Sequence, residues 1–337
     1  MLLFSLFRNN SHAETVLFGV FASIIFIFLL LDLGIFNKTA HKISTKSALY
    51  QSIFWVSVSG LFAFLVYYFD DSADGGRDAL LEYFSCYLTE YALSVDNIFV
   101  ILLILKYFTV KEEFYHKVLF WGILGAVVFR GFFIFVGAYL VGQFHWILYI
   151  FGVFLIYSGV KIYFEDSDEK IDPEKNPVMK FCRAFLPITQ DDRGGMFLVR
   201  DNGKFLFTPL FLVIVLIETT DLIFAVDSIP AAFAITQNEF LIYTSNIFAV
   251  MGLRAMFFLL SGIIDKFYLL QKGLSIILFF IGAKMLLEMG KDSDYLPSVL
   301  TDMPPTISFI VIIITLTLAI VFSIVIPKKE KQSTELN

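Results

Sequence analysis

The 337-residue chain is poor in cysteine, with two, in histidine, with four, and in proline, with nine, and only 17% of its residues are charged. Two cysteines cannot staple a disulfide scaffold, and no Cys/His cluster with metal-ligand spacing occurs. Thiolate and imidazole sites of the zinc or copper kind are therefore excluded. So apolar a composition also excludes a nucleic-acid binder and a disordered chain, whereas the formal charge of -6 says little until the charges are assigned to sides of a membrane. No basic leader followed by a small-residue cleavage site precedes the first apolar run, which therefore reads as a retained span, and no lipidation signal occurs. What is abundant is apolar: 58% hydrophobic residues, 41 of them phenylalanine. Such a chain has a lipid bilayer for solvent.

Several apolar runs approach or exceed the ~20 residues that a helix needs to cross a ~30 Å hydrocarbon core, and they lack the alternation of an outer-membrane strand. The fold class expected is an all-α polytopic membrane protein with about nine transmembrane helices, near residues 13–36, 49–69, 86–106, 118–140, 144–164, 209–234, 241–264, 270–289 and 306–326. An odd number of spans puts the termini on opposite sides. Of the 25 lysines and arginines, eighteen lie in segments that share the side of the C-terminus and three (Arg8, Arg77, Lys291) on the other. The positive-inside rule makes the C-terminus cytoplasmic and the N-terminus external. The outer loop bearing Asp70, Asp71, Asp74, Asp78 and Glu82 either concentrates cations or simply stays solvated. Cys86, at the outer mouth of the third span, and Cys182, in a cytoplasmic connection, are separated by the membrane and cannot pair.

Five sections follow from these boundaries: 1–85, an N-terminal pair of helices; 86–164, three helices; 165–208, a cytoplasmic linker; 209–289, three more helices; and 290–337, the last helix and tail. The linker begins polar, acidic and proline-bearing. It then reads MFLV, RDNG, KFLF, and Asn202-Gly203 between two apolar runs is a hairpin signal, because both residues tolerate positive φ. Such a hairpin is either a clip between the two halves or a surface for a partner protein.

The two three-helix sections repeat an order of ionisable residues. Glu90, Asp96-Asn97, Arg130-Gly131-Phe132-Phe133 and Gly159-Val160-Lys161 in the first correspond to Asp221, Asp227-Ser228, Arg254-Ala255-Met256-Phe257 and Gly282-Ala283-Lys284 in the second. The first unit enters from outside and the second from the cytoplasm, so the repeats are expected to be inverted. Inverted repeats bring equivalent residues together at the bilayer midplane, where alternating-access transporters hold their cargo. A duplicated scaffold without transport is the competing outcome.

Six acids (Asp32, Glu90, Asp96, Glu218, Asp221, Asp227) and four bases (Arg130, Lys161, Arg254, Lys284) fall inside spans. Unpaired, ten such residues would cost on the order of 30 kcal/mol, at roughly 2.5 to 3.5 kcal/mol each. They must face one another or water, and their residual of two negative charges favours a cation over an anion. The carboxylates with Asn97, Ser94 and Ser228 form an all-oxygen set suited to hard divalent ions such as Mn²⁺, Mg²⁺ or Ca²⁺. Asp96 and Asp227 stand first as direct ligands. Glu90, Glu218 and Asp221 follow, with ion pairs to Arg130 and Arg254 as their alternative role. On an unbroken helix Asp221 and Asp227 are ~9 Å and about 240° apart. Either the helix breaks after Asp227, as Pro230 suggests, or the two serve different positions. The bases balance the acids, Asp32 is expected to be structural, and Asn246 either coordinates or bonds helix to helix.

The segments EYALSVDNIFV (90–100) and ETTDLIFAVDSIPAAFAIT (218–236), with LLLDLGIF (29–36) and TSNIFAVMGLRAMFFLL (244–260), resemble the TerC/Alx family of integral membrane proteins. Phe151 to Lys161 and Gly203 to Leu210 share in the likeness, which covers most of the chain. The resemblance implies a plasma (inner) membrane protein of the LysE-like transporter superfamily, with members implicated in Mn²⁺ export and in tellurite resistance. It implies metal roles for Glu90, Asp96, Asn97, Glu218, Asp221, Asp227 and Ser228, with Mn²⁺ as cargo and no resident cofactor. The alternative is a non-transporting scaffold of a metal or tellurite stress complex. An intramembrane aspartic protease is disfavoured because its glycine-flanked aspartate is absent, so no enzyme is expected.

Overall fold

The computed structural model describes residues 12–31, 44–69, 76–164, 177–189, 194–201, 204–261, 269–289 and 303–326. Ten helices and one hairpin make up these segments: α1 His12–Leu31, α2 Thr45–Phe69, α3 Arg77–Tyr107, α4 Glu112–Gln143, α5 Ile147–Phe164, α6 Pro177–Phe185, β1 Leu198–Asp201, β2 Lys204–Phe207, α7 Pro209–Ile235, α8 Glu239–Leu260, α9 Leu270–Met289 and α10 Pro305–Val325. Eight of them, α2 to α5 and α7 to α10, are long and apolar enough to cross a membrane, and the described apolar stretch of α1, Thr15–Leu30, is shorter. The protein is an all-α polytopic membrane protein.

Apolar side chains cover the outside, with Phe26 62%, Leu61 67% and Ile324 66% exposed, while Glu90, Asn97, Arg130 and Asn246 are buried. Lipid solvates the first set and rejects the second, so polarity is turned inward. Four hydroxyls within the spans are satisfied locally: Thr219, Thr220, Thr244 and Ser245 each donate to the carbonyl four residues earlier. α3 and α8 lie at the centre, α3 against α7 and α8, and α4 against α7 and α8, with α1 and α2 on one flank and α10 on the other.

α5 and α9 pack most closely. Around Gly159 the neighbours are Ser275 O and Phe279, and around Gly152 they are Gly282 O and Leu286, so the helices run antiparallel. Gly159 corresponds to Gly282 and Gly152 to Ser275 in the register of the expected repeat, and the two contacts exchange under it. Here the absence of Cβ has a purpose, since a methyl at Gly159 would lie 2.7 Å from Ser275 O and one at Gly282 the same distance from Gly152 O.

Two expectations fail along the helices. α7 runs unbroken from Pro209 through Pro230 to Ile235, so no interruption follows Asp227. Proline removes one backbone hydrogen bond, but Ser228 to Ile235 are all buried, and their packing carries the helix past it. α3 begins at Arg77 rather than near residue 86, because charge interrupts a hydropathy run without interrupting a helix. Cys86 is consequently not at a mouth but buried within α3, its thiol 3.9 Å from Ala232 O on α7. Cys86 and Cys182 are both free.

The hairpin forms with Asp201 opposite Lys204, leaving 202 and 203 as its connection; those two residues lie outside the described set. It is fastened to both halves. Lys117 of α4 donates to Gly195 O at 2.7 Å and lies over the Phe197 ring, while the Thr208 hydroxyl at the head of α7 donates to Met196 O at 2.6 Å. The short helix α6, within the linker, was not anticipated.

Candidate functional site

Three helices, α3, α4 and α7, bring charged residues of the spans together. Arg130 of α4 is 1% exposed and bridges two carboxylates from different halves of the chain. Its Nη1 donates to Glu90 Oε1 of α3; its Nη2 and Nε donate to Asp221 Oδ1 and Oδ2 of α7 at 2.9 and 3.2 Å. Asn97 Nδ2 adds a fourth bond, to Asp221 Oδ1 at 3.3 Å. Three of the five guanidinium N–H directions are thus spent on a planar, two-carboxylate grip that lysine cannot reproduce. Glu90 and Asp221, offered as metal ligands with ion pairing as their alternative, are ion-paired in this conformer.

Glu218, one turn before Asp221, is placed differently. Both of its carboxylate oxygens are buried and have no hydrogen-bond partner. The group lies against Gly125 of α4, where an added Cβ would fall on the carboxylate itself, and 3.8 Å from the Cβ position of Gly122. Glycine at 125 makes the space that Glu218 occupies. Other oxygens nearby in sequence are also buried without partners: Glu90 Oε2, Ser94 Oγ, Asn97 Oδ1 and Ser228 Oγ. Burying such acceptors without a donor is costly.

A narrow cavity lined by Asn97, Leu119, Gly122, Thr220, Asp221 and Leu253 leads away from Asp221 toward the α3–α4 turn, with room for about one water-sized molecule. In the other direction α3 and α7 close on each other. Beyond the Cys86 contact, Thr236 Oγ1 donates to Glu82 Oε2 at 2.6 Å and accepts from Asn238 N at 3.1 Å. Asn238 in turn caps α8 through bonds from Phe240 N and Leu241 N, so the start of α3 is locked to the α7–α8 turn.

Asp227 does not join this group. It projects toward α5, where the Ser158 hydroxyl donates to its Oδ1 at 2.8 Å and Lys161 is near enough to act on it electrostatically. The separation around α7 expected of an unbroken helix is what the structure has. Lys284 is buried and pairs with Glu288 at 3.2 Å, and Arg254 is half-buried on α8. Asn246 is buried on α8, and its Nδ2 donates to Ile242 O of its own helix at 2.9 Å. Asp32 and the side chain of Asp96 lie outside the described residues. Among the described residues no three acidic, histidine or cysteine side chains converge at metal-binding distance. Gly125 and Ser158 were missed by the sequence reading; the glycines at 122 and 125 within an otherwise bulky span are the signal that pointed to a close approach.

Residues 75–331 match the integral membrane protein TerC family. A protein of Photorhabdus laumondii, Alx, provisionally described as a membrane-bound redox modulator, is 44% identical over 282 residues, 82% of this chain and 88% of its own. The Escherichia coli K12 protein of the same name is 43% identical over the same share of each. An uncharacterised membrane protein of Myxococcus xanthus is 40% identical over 309 residues, 92% of both chains. No solved structure matches.

Proposed function

The chain belongs to the integral membrane protein TerC family, and from that premise we propose that it is a divalent-cation transporter whose main activity is Mn²⁺ efflux by alternating access. The observation that carries the reading is Glu218. A carboxylate whose two oxygens are buried without a donor, in a space cleared by Gly125 and beside a cavity shared by Asn97 and Asp221, is a ligand awaiting its cation. The surrounding unpaired acceptors are oxygens, which favours a hard ion over copper or zinc.

The remaining parts have roles in this reading. The cavity lies on the side of Asp221 that faces the α3–α4 turn, which the lysine and arginine distribution assigns to the cytoplasm, and the Glu82–Thr236 contact ties α3 to α7 on the other side, so the ion is read as entering from the cytoplasm. The exchangeable glycine contacts of α5 and α9, and the antiparallel pairing of α3 with α7, support the inverted repeat and hence a rocking of one half on the other. Asp227, beside Ser158, supplies a second carboxylate on the opposite face of α7, a later stop for the ion. The protein sits in the plasma (inner) membrane with its C-terminus in the cytoplasm.

Radiolabelled Mn²⁺ flux in proteoliposomes tests this directly. Wild-type protein is expected to carry Mn²⁺, and Glu218→Gln and Asp227→Asn are expected to insert normally and lose flux. Flux no greater than that of protein-free liposomes overturns the reading. In cells, loss of the protein raises manganese content and sensitivity; normal manganese handling by the two variants would favour a scaffold working through the hairpin instead.

A further inference from the structure

We propose that Arg130 is a tethered stand-in for the transported cation, occupying the carboxylate site when no metal is bound and yielding it when metal enters. The inference rests on the transport reading and says how the empty carrier keeps its site from collapsing or repelling itself. The juxtaposition that points to it is the meeting of α3 and α7, one from each half, through a single buried guanidinium. Arg130 reaches Glu90 on one helix and both oxygens of Asp221 on the other, and Asn97 shares Asp221 Oδ1.

Acceptors remain over beside this grip. Asn97 Oδ1 and both oxygens of Glu218 are buried near the same junction without a hydrogen-bond partner, and Arg130 donates to only one oxygen of Glu90. A guanidinium placed purely to hold helices together would be expected to leave its surroundings satisfied. Here it neutralises part of an oxygen-rich site and leaves the rest vacant, as a monovalent substitute does in a place shaped for a divalent ion. The cavity beside Asp221 gives an entering ion access to the carboxylate that Arg130 grips most fully. When the ion arrives, Glu90 and Asp221 exchange one cationic partner for another, and the guanidinium moves off them along α4. Glu90 and Asp221 are then never without a counter-charge at any stage of the cycle. Affinity for metal is held down by this built-in competitor, which keeps release possible.

The experiment measures Mn²⁺ binding to the purified full-length protein by calorimetry, its melting temperature with and without Mn²⁺, and flux in proteoliposomes, for wild type, Arg130→Gln and Arg130→Lys. With the competitor removed, Arg130→Gln is expected to bind Mn²⁺ about tenfold tighter and to gain a larger Mn²⁺-induced rise in melting temperature. Its flux is expected to fall about tenfold or more, since metal no longer leaves readily. A merely structural arginine moves these together: affinity and flux both drop. A folded Arg130→Gln protein with unchanged or weaker Mn²⁺ affinity overturns the proposal while leaving transport by the wild type intact. Should Arg130→Gln fail to fold even with Mn²⁺, the lysine variant decides, because it keeps the charge and loses the fork. Tighter binding with slower flux supports the stand-in, and unchanged affinity overturns it. Wild-type protein that neither binds nor carries Mn²⁺ overturns the transport reading and this inference with it.

Discussion

Asp221 and Glu218 lie one turn apart on α7, yet the regions around them are built on opposite plans. Asp221 accepts from Nε and Nη2 of Arg130 and from Asn97, and it ties α7 to α3 and α4. Glu218, against Gly125, accepts from nothing. The first region repays the burial of its charge with hydrogen bonds; the second leaves that cost standing. Proteins tolerate an unrelieved buried carboxylate where function requires it, so the contrast separates a carboxylate that organises the site from one that awaits a ligand. Asp227, with one hydroxyl partner on α5, falls between the two.

The largest expected effect comes from collapsing the organised region. Asp221→Ala leaves Arg130 buried with half its partners, and destabilisation of about 3–5 kcal/mol is expected, read as a fall in the denaturation midpoint of the detergent-solubilised protein. A near-neutral result would mean that the bridge is not what joins α3, α4 and α7. Glu218→Gln attacks the other region. Mn²⁺ flux should fall on the order of 100-fold, as for loss of a direct ligand, while stability stays within about 1 kcal/mol of wild type or rises. An equal loss of stability and flux would erase the distinction drawn here.

Gly125→Ala sharpens the same comparison from the neighbouring helix. A methyl placed on the Glu218 carboxylate should cost about 1–3 kcal/mol through overpacking and raise the Mn²⁺ concentration for half-maximal flux, whereas Gly142→Ala, at a site with nothing within 4 Å, should change neither. Ser158→Ala removes the hydrogen bond to Asp227 and should cost about 1–2 kcal/mol, with a smaller flux defect than Glu218→Gln. If the Ser158 variant proves the more damaging for flux, Asp227 rather than Glu218 is the principal ligand.

Much of this architecture is legible in the amino-acid order, because lipid imposes a simple rule on it. Hydropathy locates the helices, though it starts α3 nine residues late, and Asn202-Gly203 marks the hairpin connection, since turn chemistry and burial are local properties. Which carboxylate meets Arg130 is not local. It depends on how α3 slides against α7, and that register is set by side-chain packing spread over both helices. For the same reason ion pairing and metal binding stay as alternatives for Glu90 and Asp221 until the helices are assembled. Pro230 misleads because the break it favours in isolation is overridden by burial on every side of Ser228–Ile235. α6 escapes notice because it is only nine residues long within a polar linker, too short to register as a span, although its apolar residues recur at helical spacing and Met179 and Cys182 are buried on one side of it.

The glycine seam between α5 and α9 has a mechanical consequence. At Gly159 and Gly282 main chain rests on main chain, and main chain has no rotamers with which to absorb a sliding step. The two helices are therefore riveted into a single strut that turns as one piece or not at all. In the transport reading this strut moves as a unit, so a bulky residue at either glycine should impair flux far from the charges it serves.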